Sequence, residues 1–99
     1  MRDPEIMRQV KEILAQISQI APGHAVELRI PPYSAIQCVE GPKHTRGTPP
    51  NVVEMNSESL IALSKGEISW SDAIADGRIH ASGERSDISN LFSQLTSRN

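Results

Sequence analysis

Ala25-Val26-Glu27-Leu28-Arg29-Ile30-Pro31-Pro32-Tyr33-Ser34-Ala35-Ile36-Gln37-Cys38-Val39 decides the fold. Apolar and charged residues alternate over 26–30, the two-residue period of a half-buried strand, so Val26, Leu28 and Ile30 point inward. Pro31-Pro32 ends the run. Alternation resumes from Tyr33 to Val39, with Ser34, Ile36 and Cys38 on one side and Tyr33, Ala35, Gln37 and Val39 on the other. Both sides carry apolar groups, as in a strand covered on both faces or at a subunit contact.

Before this pair, the period is helical. Ile6, Met7, Val10, Ile13, Leu14, Ile17 and Ile20 recur at steps of three and four, so residues 4–20 form an amphipathic helix. Asp3 is placed to cap it, with Pro4 in the first turn, and Ala21-Pro22-Gly23 ends it. The outer face mixes signs (Arg8, Lys11, Glu12), which suits a helix lying on a sheet better than one lying on a membrane.

Beyond the pair, Val52-Val53-Glu54-Met55 reads as a third strand. Asn56-Ser57 caps a short helix holding Leu60, Ile61 and Leu63, stopped by Lys65-Gly66. Ser69 caps another from Trp70 to Ala75, stopped by Asp76-Gly77. Residues 78–82 form a fourth strand with His80 facing away from Ile79 and Ala81. Ser86 or Asp87 caps a last helix with Ile88, Leu91, Phe92 and Leu95 on one face. The order is α-β-β-β-α-α-β-α, an α+β fold with helices over a small mixed sheet of four to five strands. Three strands in succession predict two hairpins. At 99 residues the chain reads as a single domain.

Composition removes several functions. A net charge of −2 with no basic face argues against nucleic-acid binding. No apolar run is long enough to span a membrane, and the N-terminus lacks a leader's apolar stretch, so a cytoplasmic location is expected. Cys38 is the lone cysteine and reads as a small buried hydrophobe. His44 follows six residues later, but nothing demands that the two pair as nucleophile and base. His24, His44, His80 and Cys38 show no metal-ligand spacing, and no cofactor is expected.

The segment 40–51, Glu-Gly-Pro-Lys-His-Thr-Arg-Gly-Thr-Pro-Pro-Asn, resists any regular element. Its glycines and prolines hold Lys43, His44 and Arg46 on a shaped loop closed by Asn51. Charge-assisted donors on such a loop suit a small anion or a polar headgroup. The alternative is a solvated connection whose cations pair with Glu40 and Glu54. Gly47 is followed by Thr48, without the lysine of a nucleotide-binding phosphate loop. A second candidate is apolar. Leu60, Leu63, Trp70, Ile74, Leu91, Phe92 and Leu95 lie on short helices that must cover one sheet face, and they either fill a core or leave a groove.

The second half shows a helix ending at Gly66, a short helix with Trp70-Ser71-Asp72-Ala73 ending at Gly77, a strand, and Ala81-Ser82-Gly83-Glu84 before the last helix. This arrangement resembles the C-terminal half of sterol carrier protein 2-like domains. Arg29 to Tyr33, together with Gln37 to Glu54, is similar to a compact actinobacterial subgroup of that family. The resemblance implies helices over a curved sheet and, in the wider family, binding of fatty acyl chains, acyl-CoA or sterols between them. It also implies service as a module of larger enzymes, although the metal-binding bundle of the mycothiol-dependent isomerases has no counterpart here. The expected function is a non-enzymatic module. It would take an acyl chain or other apolar small molecule in the groove, with an anionic headgroup at Lys43, His44 and Arg46. A dimerisation or partner-enzyme docking module is the alternative, and an enzyme using His44 and Arg46 a third.

Overall fold

The computed structural model describes residues 3–41 and 51–98. The elements are α1 (Pro4–Ile20), β1 (Val26–Ile30), β2 (Ser34–Cys38), β3 (Val52–Met55), α2 (Ser57–Ser64), α3 (Trp70–Ala75), β4 (Ile79–Ser82) and α4 (Ser89–Arg98). Their order is the expected one, and the described sheet has four strands.

Local signals set the helix starts. The Asp3 carboxylate accepts from the N–H groups of Glu5 and Ile6, satisfying donors that the first turn of α1 leaves open. Asn56 caps α2 through Ser59 N–H, and Ser69 caps α3 through Asp72 N–H. At α4 the capping bond comes from Asp87, whose carboxylate accepts from Ser89 N–H at 3.0 Å. Ser86 turns back instead and donates to the Gly83 carbonyl.

The strands run β2-β1-β3-β4 across the sheet. β1 and β2 form the expected hairpin, with Val26 opposite Cys38 and Leu28 opposite Ile36. The second hairpin does not form. β3 lies parallel to β1 on its other side, with Leu28 opposite Val53, and β4 pairs antiparallel with β3. A hairpin needs roughly 2–5 loop residues, whereas the 39–51 connection is far longer and can pass the end of β1. The crossing is also favoured by burial. It places Val53 and Met55 mid-sheet, where both are buried, and leaves the less apolar β2 at the edge.

The β2 strand is covered on one side only. Cys38 is buried and Ile36 half-buried, while Ala35 and Gln37 are exposed. Helices cover the face carrying Val26, Leu28, Ile30, Val53 and Met55. Val10, Leu14 and Ile17 of α1, Leu60 and Leu63 of α2, and Leu91, Phe92 and Leu95 of α4 close a common core over it. The opposite face carries Glu27 paired with Arg29, then Glu54, His80 and Gln37. Among the described residues, no helix is long and apolar enough to cross a membrane.

Candidate functional site

The seven apolar candidates separate into three groups. Leu60, Leu91 and Leu95 belong to the packed core and do not border the groove described below. Ile74 is 40% exposed and borders a different hollow, with Val52, Glu54 and His80 at the β4 edge. Leu63, Trp70 and Phe92 remain together. They line an open groove of about 400 Å³ between the end of α2, the start of α3 and one side of α4.

The groove is built from local chemistry. Gly66 ends α2 with φ +74, and a β-carbon there would stand 3.0 Å from the Thr96 methyl, so α2 and α4 approach closely at this point. Thr96 Oγ1 donates to the Leu63 carbonyl at 3.3 Å and ties the two helices at the groove floor. Ser69, the α3 cap, aims Trp70 across the gap. The rings of Trp70 and Phe92 stack with centroids 5.9 Å apart and planes 30° apart, within the range that favours aromatic pairs.

Six lining residues were not foreseen as such: Gly66, Ile68, Ser69, Ser89, Ser93 and Thr96. The last three stand at i, i+4 and i+7 on α4, a stripe of small hydroxyl residues beside Phe92, and that spacing was readable. Hydrogen bonds from Ser89, its hydroxyl first and its backbone N–H second, hold the Asp87 carboxyl at the rim below the usual carboxylate range.

Lys43, His44 and Arg46 lie outside the described residues. The two ends of their segment are defined, however. Cys38 pairs with Val26 and Val52 with Glu27, so both ends lie at one end of the sheet. Asn51 is buried, and its amide is committed to the backbone. Its Nδ2 donates to the Ala25 carbonyl at 2.8 Å and its Oδ1 accepts from Arg85 N–H at 2.9 Å. Thus Asn51 ties β1, β3 and the β4–α4 connection together. A β-carbon at Gly41 would also meet the Arg85 side chain. Arg85 stands four residues before Ser89 on the groove rim, so a single connection joins the segment's ends to the groove.

Among the described residues, no group of three or more His, Cys, Asp or Glu side chains could hold a metal ion. His24 is exposed, with Nδ1 2.6 Å from Gln37 Oε1. Cys38 is fully enclosed, and burial raises its thiol pKa to about 11 from 9.0. Only the neutral thiol suits that site. The contribution of Cys38 to stability is therefore intact below about pH 9 and is lost as pH climbs toward about 11, because the unfolded thiol ionises first. Iodoacetamide should leave native Cys38 unmodified at pH 8 and label it promptly in denaturant. Rapid labelling of the native protein would contradict this burial.

Comparison with known proteins places these features in a family. A family model described as bacterial SCP ortholog matches residues 3–93. A search of curated proteins found no match. Among solved structures, the chain is similar to the solution structure of sterol carrier protein 2 from Aedes aegypti in complex with palmitate, a C16 fatty acid. The two share 17% identity and a TM-score of 0.58 over 98% of each chain. It is also similar to the crystal structure of sterol carrier protein 2-like 2 from Aedes aegypti, with 16% identity and a TM-score of 0.52 over 93% of this chain and 97% of that one. The solution structure of the palmitated form of that protein gives 16% identity and a TM-score of 0.51 over 95% of both chains. At these identities the likeness shows the fold.

Proposed function

We propose that this chain, which belongs to the family of bacterial SCP orthologs, is a non-enzymatic module that binds an acyl chain or similar apolar group of an amphipathic anion. The observation that carries the reading is the open groove walled by Trp70 and Phe92. Its volume of about 400 Å³ falls within the range of small-molecule sites, roughly 300–1,000 Å³. An apolar chain laid along Leu63, Ile68 and the two rings gains about 0.8 kcal/mol for each methylene it buries. The fold itself supports the reading, because two of the similar structures hold palmitate or are palmitated.

The anionic head is assigned to Lys43, His44 and Arg46. In support, the ends of their segment meet Arg85, and the chain runs from Arg85 directly into the groove rim at Ser89. The hydroxyl stripe of α4 offers polar contacts along the way without adding charge. Water leaving the partly exposed Trp70 and Ile68 side chains supplies the driving force, and the cations orient the ligand rather than react with it.

Trp70 is the single tryptophan and so reports on its own site. Titrating palmitate into the protein should change Trp70 emission saturably, and Phe92→Ala should weaken the apparent affinity about tenfold, the worth of roughly two buried methylenes. An emission that stays linear in ligand, or equal affinity in the variant, would remove the groove from consideration.

A further inference from the structure

A larger hollow than the groove lies elsewhere on the described surface. It has a volume of about 730 Å³ and runs along the outer side of α2, between Ile6 of α1 and Arg78 before β4. Three features set it apart from a surface dent.

Helix α2 carries apolar residues on its outer side as well as its inner one. Leu60 and Leu63 face the core, while Ile61 and Ala62 on the other side are half-buried and line the hollow with Ile6. Half-buried apolar side chains on the outer side of a helix offer a surface that an apolar group can cover. The hollow also contains uncommitted charge. Glu58 and Glu67 line it, and neither has an ion-pair partner among the described residues. The one cation present, Arg78, already stands 3.7 Å from Asp76. The free charge is therefore negative.

Ser59 supplies the third feature. Among the described residues, four polar ones are buried: Asn51, Ser59, Ser64 and Ser86. Asn51 uses both amide atoms, Ser64 donates to the Ile61 carbonyl and Ser86 to the Gly83 carbonyl. Ser59 is only 4% exposed, yet its hydroxyl makes no hydrogen bond to another of the described residues. Among the described residues, no side-chain oxygen or nitrogen cut off from solvent lacks a partner. The Ser59 hydroxyl must therefore reach solvent, and the hollow it lines is its outlet. A hydroxyl that opens into the hollow is free to bond whatever occupies it, water or ligand.

We infer that this hollow is a second binding site, separate from the Trp70–Phe92 groove, for a small amphipath bearing a primary ammonium group. An ammonium has three N–H donors and no acceptor. It matches two carboxylates and a hydroxyl with free lone pairs, while Ile6, Ile61 and Ala62 receive the attached apolar body. A carboxylate in the same place meets Glu58 and Glu67 as like charges and finds Arg78 already paired.

The test is an amide-resolved NMR titration of the ¹⁵N-labelled chain at neutral pH with n-hexylammonium, hexanoate and hexanol. Hexylammonium should give saturable shifts at Ser59, Ala62 and Arg78, with hexanoate and hexanol at least about tenfold weaker. Replacing Glu58→Gln and Glu67→Gln together should weaken hexylammonium about tenfold, as expected for two ion pairs at a partly exposed rim. Ser59→Ala should weaken it severalfold while leaving the unfolding midpoint unchanged or higher, an outcome that a purely structural serine would not give. Phe92→Ala should leave this titration unchanged, so its outcome is independent of the acyl-groove reading. Tighter binding of hexanoate, amine shifts that do not saturate at these residues, or indifference to the double substitution would overturn the assignment.

Discussion

Replacing Gly23 by alanine is expected to cost the fold about 3 kcal/mol, against a total stability of roughly 5–15 kcal/mol for a domain of this size. Gly23 has φ +142, and an added β-carbon would lie 2.2 Å from the Val39 carbonyl oxygen and 2.4 Å from its carbon. These are backbone atoms with no freedom to retreat. The Val39 carbonyl accepts from Ala25 N–H at 3.0 Å, and Val39 N–H donates to the Ala21 carbonyl at 2.8 Å. Val39 itself has φ 69, a left-handed conformation that a β-branched residue rarely adopts. The α1–β1 corner and the end of β2 are thus knotted through two positions that tolerate little change. Urea unfolding should show the loss as a lower midpoint at an unchanged slope. A midpoint within about 0.5 kcal/mol of the parent, the spread of ordinary surface substitutions, would mean that the corner is looser than described. Because this knot anchors the 40–51 segment, Gly23→Ala should also weaken any ligand whose head engages Lys43, His44 and Arg46.

Leu60→Ala is expected to cost about 3 kcal/mol as well, by a different route. Leu60 is fully buried on the inner side of α2 and shares the core with Leu63, Leu91 and Leu95. Alanine is the better helix former, so the loss comes from packing and the residual cavity alone. The variant separates core from site. While it remains folded, palmitate should bind it with nearly the parent's affinity, because Leu60 does not line the Trp70–Phe92 groove. Urea unfolding and Trp70 titration on the same preparation check both halves. A stable Leu60→Ala protein would contradict the burial, and a folded variant that no longer binds would move Leu60 into the site.

The elements were legible because their signals are local. Seven aliphatic residues at helical steps from Ile6 to Ile20 mark α1, and Asp3, Asn56 and Ser69 mark their own helix starts within a few residues. Strand pairing is not local. Nothing within Val52–Met55 says whether it joins β2 or β1, and the answer rests on which arrangement buries Val53 and Met55 most fully. The site shows the same division. Trp70 and Ile74 stand one turn apart and share a face by spacing, yet α3 turns Ala73 and Trp70 inward and leaves Ile74 at the sheet edge. A six-residue helix makes too few contacts for its pattern to set its rotation. Asn51 reads as the last residue of a polar loop, and its two backbone bonds span 26 and 34 residues of sequence. Neither bond leaves a trace in the neighbouring residues. Ser59 was likewise invisible, since a serine in a helix's first turn is ordinary until its burial and its missing partner are known.

The central claim is that an acyl chain lies against Trp70 and Phe92. Intermolecular NOEs between the methylenes of bound palmitate and the protein's side chains test it most directly. The account predicts cross-peaks to the Trp70 indole, the Phe92 ring and the Ile68 and Leu63 methyls, with none to Leu60. Cross-peaks confined to residues outside this groove, with Trp70 and Phe92 silent, would contradict it.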